Sequence, residues 1–239
     1  MSLALVAPGT PAHPEPSAER AAARHPWLGY YPAVGVKCTY EVRDFIGDEV
    51  DTEWSRVAEK TSRRIVIRSS EGPSRYTLLR GGKVGLRETT SDREDGYSYR
   101  MVMRMTYPSP SGMRRGLAEK GTLTLSMTLP AREARVLLKS GRTMTTKATF
   151  RIKGLGQRQI PLADDDRTQV RAVGMKLAFA SMTISNVKKR YVAAFKSEFR
   201  PTLKSFNRTS WIAPRRGVVL LKALDDDGLE ETTRQIGCR

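Results

Sequence analysis

Apolar residues recur at every second position along much of this chain. Val36, Cys38, Tyr40 and Val42 alternate with Lys37, Thr39, Glu41 and Arg43. Tyr97, Tyr99, Met101, Met103 and Met105 alternate with Ser98, Arg100, Val102 and Arg104. Leu123, Leu125, Met127 and Leu129 alternate with four hydroxyl residues. A period of two sends successive side chains to opposite faces of a strand, so each stretch predicts a strand with one buried face. Further strands are expected over Val50–Val57, Arg63–Ser70, Arg75–Arg80, Val84–Thr90 and Thr143–Lys153. Turns are expected at Gly47-Asp48, Glu71–Ser74 and Gly81-Gly82, with polar loops at Asp92–Gly96 and Asp164–Asp166. Calcium binding at the last is opposed by the missing flanking ligand pattern. Short strands at regular spacing between turn signals predict an all-β domain.

The C-terminal stretch continues the pattern. A strand is read through Ser205–Trp211, a break at Pro214–Gly217, a strand Val218–Leu224, a turn at Asp227-Gly228 and a last strand ending at Cys238. Asp-Gly between β-prone runs is a strong hairpin signal. Val170–Ser185 fits a helix or one or two strands; Gly174 and the Thr/Ile/Ser run favour strand. Tyr191, Ala193, Phe195 and Phe199 are read as another strand, and Tyr107–Gly116 as a loop. One helix is expected from Pro130, through AREARVLLKS, to Gly141: proline opens helices and glycine follows them. Residues 1–26, rich in Pro and Ala, read as a flexible lead-in, either the remnant of a signal peptide or a disordered tail. Residues 27–239 then form a single β-rich domain, a curved antiparallel sheet with one or two short helices.

Charge changes the picture more than hydrophobicity does. Forty-two Lys+Arg against 25 Asp+Glu give a formal net charge of +17. Such a surface attracts an anionic membrane, an acidic envelope polymer or nucleic acid, or it serves solubility alone. The basic residues are scattered over polar strand positions, which disfavours nucleic acid as the partner. The only histidines, His13 and His25, stand at the chain's start. The β domain therefore offers no Ser-His-Asp or Cys-His pair and no His metal ligand. No catalytic residue, metal or cofactor is expected, and the chain reads as a non-enzyme.

Three stretches carry a resemblance. They are YYPAVGVKCTY at Tyr30–Tyr40, QRQIPLADDDRTQVRAV at Gln157–Val173 and SWIAPRRGVVLLK at Ser210–Lys222. In the third, Trp211, Ala213, Pro214, Gly217 and Val219 match an aromatic-x-Ala-Pro-x-x-Gly-x-Val entry. Together they resemble uncharacterised secreted bacterial β-proteins related in architecture to the LolA/LolB lipoprotein carriers. The resemblance implies a mainly β fold built as a strongly bent antiparallel sheet. That sheet would be an open half-barrel, with helices or loops over its concave face, in an extracytoplasmic, periplasmic or cell-envelope setting. It implies no catalytic residue. Where the pattern carries Trp, this chain has Cys38; the other cysteine is Cys238. Each reads either as a buried thiol or, in an oxidising compartment, as half of a disulfide between the terminal strands.

The expected function is that of an envelope binding protein holding an apolar, amphipathic or lipid-like ligand in the concave face. Tyr99, Met101, Met103, Leu123, Leu125 and Met127 are its candidate lining, since Met side chains repack easily around a ligand. The alternative is a polyanion-binding protein acting through its basic surface.

Overall fold

The computed structural model describes residues 25–43, 50–70, 72–94, 96–163, 165–224 and 230–239. The lead-in expected over residues 1–26 lies outside them except for its last two residues. So do the turns at Gly47-Asp48 and Asp227-Gly228, and Asp164 of the acidic loop.

Twelve strands follow in chain order: β1 (Lys37–Arg43), β2 (Val50–Lys60), β3 (Arg64–Ser69), β4 (Gly72–Leu78), β5 (Val84–Glu94), β6 (Tyr97–Tyr107), β7 (Ala118–Thr128), β8 (Thr143–Leu162), β9 (Asp165–Ser185), β10 (Arg208–Ala213), β11 (Gly217–Leu224) and β12 (Glu230–Cys238). Each pairs antiparallel with its neighbours in sequence, and β12 pairs with β1. The expected open half-barrel is thereby corrected to a closed, up-and-down barrel. Periodicity reports which residues share a face; it does not report whether the first strand meets the last. Closure removes the free first and last strands of an open sheet, although β4 and β5 pair over only Tyr76–Leu78 with Val84–Leu86.

The apolar face of the alternation points inward. Ile65, Val84, Met105, Phe150, Ile152, Leu177 and Ile212 belong to one buried cluster inside the barrel. Many of the outward positions are basic. Arg56, Arg68, Arg87, Arg104, Lys120, Arg151, Lys153 and Lys176 are all exposed. This is the inverse of a membrane-spanning barrel, whose outer band is apolar.

Short elements close the ends. At one end the single helical turn Pro26–Gly29 seats Trp27, 1% exposed, against the barrel interior. The β10–β11 turn holds this segment: the Arg215 and Gly217 amides donate to the Gly29 and Tyr30 carbonyls at 2.9 and 2.7 Å. Lys60 Nζ adds bonds to the Tyr31 and Pro32 carbonyls. His25 belongs to this folded part, its Nε2 lying 3.0 Å from the Leu79 carbonyl oxygen. Within the expected Tyr107–Gly116 loop stands a short helix, α1 (Pro110–Arg114), capped by the Ser109 hydroxyl. Its Met113 backbone packs so closely on Gly154 of β8 that a Cβ there would sit 2.5 Å from the Met113 carbonyl oxygen. The expected helix after Pro130 is α2 (Ala131–Leu137).

The strand expected from Tyr191 is instead a helix, α3 (Lys189–Ser205). Tyr191, Phe195, Phe199 and Leu203 recur every fourth residue and share one buried or half-buried face, while Ala193 and Ala194 are exposed. The helix lacks a side-chain N-cap at Lys188 and contains Pro201, so its usual boundary signals are missing. Lys188 Nζ is engaged elsewhere, on the Arg135 and Val136 carbonyls at the end of α2. Phe199 packs into both the main interior cluster and a second one around Leu129, Met144 and Val187. The helix thereby lies along the inner wall formed by β7 to β9.

Val170–Ser185 is strand throughout, as part of the long β8–β9 hairpin. Its far end packs Ile160, Leu162 and Ala172 around Trp211, Ala213 and Val219 on the outer face of β10–β11. The Ala163 amide reaches the Gln235 carbonyl on β12 at 3.0 Å.

Candidate functional site

The barrel is not filled completely. Between the wall made by β1 to β5 and that made by β10 to β12 lies a cavity of about 260 Å³. Its lining includes Tyr40, Glu53, Ser55, Tyr76, Glu88 and Arg208, with Val57, Ile67, Leu86 and Met103 as apolar surface. A smaller cavity of about 120 Å³ adjoins it, sharing Tyr31, Tyr76, Arg208, Val218 and Leu221 as lining.

The strand alternation supplies these side chains. Arg208 and Ser210 occupy the inward set of β10, with Ile212, while Trp211 faces out onto Gly174. Asn207 sets the exit from α3: its Oδ1 accepts from the Phe179 amide at 2.6 Å. This places Arg208 at the first position of β10, its Nη2 3.5 Å from the Tyr107 hydroxyl. Aromatic rings step across the interior from Trp27 to Tyr31 (6.2 Å between centroids), to Tyr76 (6.2 Å) and to Tyr107 (6.4 Å). Tyr40 pairs its hydroxyl with Ser55 at 3.0 Å, and the Ser74 hydroxyl donates to Glu88 at 3.0 Å.

Burial governs the electrostatics. It pushes the Tyr31, Tyr40 and Tyr76 phenols above their ordinary value, so they stay protonated donors. Burial alone would lower the Arg208 pKa; the hydrogen bond with Tyr107 and the Glu88 carboxylate act the other way.

The six expected lining residues share one face. They form three directly opposed cross-strand pairs: Tyr99–Met127, Met101–Leu125 and Met103–Leu123. Met103 and Leu123 are buried in the interior cluster, with Met101 and Leu125 packed against it. Met127 packs against the cluster that takes in the first half of α3, and Tyr99 is 37% exposed. Of the six, Met103 lines the larger cavity. The cavity wall is mixed in polarity, because the inward set of β1 to β5 carries Glu53, Ser55, Ser74 and Glu88 among its apolar residues. Arg208 escaped the sequence reading because one arginine among 42 basic residues has no local mark of burial.

Cys38 and Cys238 form a disulfide, their Cα atoms 4.0 Å apart. The class the fold defines is thus a closed twelve-stranded barrel with a plugged end, a disulfide-joined seam and an internal cavity. No protein-family model matches the chain, and no curated protein matches it in sequence. It is similar to two solved structures, each 11% identical and aligned over 88% of this chain and 98% of the other. One, from Bacteroides fragilis (TM-score 0.44), is described as a "putative exported protein with YmcC-like fold". The other, from Parabacteroides distasonis (TM-score 0.43), is described as a "putative lipoprotein".

Proposed function

We propose that this chain is a non-enzymatic cell-envelope protein that holds an amphipathic ligand inside its closed barrel. The observation supporting this most directly is the internal cavity of about 260 Å³, where Val57, Ile67, Leu86 and Met103 share a wall with Arg208, Glu53 and Glu88. Small-ligand sites combine apolar lining with a few placed polar groups, at volumes from roughly 300 Å³ upward; the two adjoining cavities, about 260 and 120 Å³, together reach the lower end of that range. The setting is extracytoplasmic, since a disulfide such as Cys38–Cys238 persists where thiols are oxidised. Of the resemblance to the lipoprotein carriers, this reading keeps the ligand class and drops the half-barrel. The test is organic extraction of protein purified from an envelope fraction, with mass spectrometry of the extract. A small amphiphile in stoichiometric amount is expected. Empty protein that also fails to bind a neutral apolar fluorophore saturably would end the reading.

A second reading has its own observation. Four outward cross-strand pairs carry like charges: Arg56–Arg68, Arg87–Arg104, Lys120–Arg151 and Lys153–Lys176. Directly opposed like charges destabilise a sheet, and a bound polyanion relieves that repulsion. An acidic envelope polymer would then bind the outer wall. Binding of polyglutamate should weaken steeply as salt rises, whereas apolar burial should hold.

A further inference from the structure

The smaller cavity has a composition of its own. Trp27, Tyr31, Tyr76 and Tyr107 line it together with Ser210 and apolar side chains, and Arg208 is the one charged residue of its lining among the described residues. Glu53 and Glu88 line the larger cavity instead. Glu88 already accepts a hydrogen bond from Ser74. Among the described residues no carboxylate lies within ion-pair distance of the Arg208 guanidinium; its hydrogen bond goes to the Tyr107 hydroxyl at 3.5 Å. The guanidinium is half-buried, and with five N–H groups it keeps donor capacity beyond this one long contact.

A second, independent observation points to the same place. Trp27 is 1% exposed and lines this cavity, yet its indole Nε1–H has no hydrogen-bond partner among the described residues. An indole N–H can only donate. The Tyr31 and Tyr76 hydroxyls, kept protonated by burial, can donate as well as accept, and Tyr76 is already hydrogen-bonded with Ser74. The cavity therefore presents a positive charge and several donors, with no carboxylate among its lining residues. Among the described residues the Trp27 Nε1–H is the donor of this cavity left without an acceptor, and a buried donor so placed costs stability until an acceptor arrives from outside.

We infer that the barrel binds an organic anion, its carboxylate, sulfonate or phosphate head seated between Arg208 and Trp27 and its apolar body extending into the larger cavity past Tyr76, Leu86 and Met103. The inference rests on the reading of the barrel as an amphiphile carrier and specifies the ligand's head. Charge-assisted bonds from a guanidinium to such a head are the strong ones, and Arg presents its donors in a fork suited to it. The two cavities share Tyr31, Tyr76, Arg208, Val218 and Leu221 as lining, so head and body would be separated only by these side chains.

Two fluorophores separate head from body: 1-anilinonaphthalene-8-sulfonate, and N-phenyl-1-naphthylamine, which has the same aromatic body without the sulfonate. Each is titrated into the full chain at fixed ionic strength. The variants are Arg208→Gln and Trp27→Phe, with circular dichroism to establish folding. Arg208→Gln should weaken the sulfonate probe at least tenfold and shift the neutral probe less than threefold. Trp27→Phe keeps the ring and removes the donor; it should weaken the sulfonate probe a few-fold and leave the neutral one unchanged. It also decides the matter if the Arg208 variant does not fold. Saturable binding of both probes, unaltered by either substitution, overturns the anion site and leaves the carrier reading standing. Absence of saturable binding by both probes overturns the carrier reading and the anion site with it.

Discussion

Cys38 and Cys238 stand directly opposite each other in β1 and β12, at the seam where the barrel closes. The pair next to them, Lys37 and Arg239, exchanges two backbone hydrogen bonds of 2.9 Å. The cystines therefore occupy a non-hydrogen-bonded pair, where opposed side chains approach most closely. Sequence separation is 200 residues, so the bond joins nearly the whole domain into one loop. In the chain-entropy account, a loop of that length restricts the unfolded state by about 5 kcal/mol.

Reduction, or Cys38→Ser with Cys238→Ser, should lower unfolding stability by about 4–5 kcal/mol. Denaturant titration with and without reductant measures it. Alkylation of the oxidised, denatured protein should add no mass. Two alkylated thiols would sink both the bond and the compartment it implies.

The Trp211 ring covers Gly174, its registered partner across β9 and β10. A Cβ on Gly174 would lie 2.6 Å from the ring. Gly174→Ala should cost about 1–3 kcal/mol through overpacking. In a Trp211→Leu background the same substitution should cost clearly less, a coupling that a double-mutant cycle reads directly.

The α3 face gives a sharper test of helix against strand. Leu203→Ala, at a buried position, should cost about 2–5 kcal/mol. Ala193→Ser, on the exposed face, should stay within about 0.5 kcal/mol. A strand with Ala193 and Phe195 on one face would not give that contrast.

Alkaline titration tests the tyrosine interior. Burial raises the Tyr31, Tyr40 and Tyr76 pKa values in the folded state. In the unfolded chain these phenols ionise near pH ~10. The unfolded state therefore loses protons first as pH rises. The stability these groups contribute is complete below pH ~10 and falls above it, by about 1.4 kcal/mol per pH unit for each group. Absorbance at the tyrosinate band should show them ionising together with loss of fold. Early, independent ionisation of all eight tyrosines of the chain would contradict the buried arrangement.

How far the chain alone reaches can be seen residue by residue. Alternation marked the strands around Tyr40, Met103, Leu125 and Phe150 and the faces they bury, because a two-residue period is local and written in every strand. Pro130 marked the start of α2 for the same reason, whereas the helix ends at Leu137, short of the expected Gly141. Tyr191 to Phe199 misled, since positions 191, 195 and 199 fit periods of two and of nearly four alike, and without a cap the local pattern could not choose. Packing against Met127, Met144 and Phe150 chose helix. Barrel closure, the opposition of Cys38 to Cys238, and the joining of Trp27, Tyr76, Tyr107 and Arg208 around one cavity were decided only by tertiary structure. Those contacts link residues up to 200 positions apart, and no short-range period encodes which distant strands become neighbours.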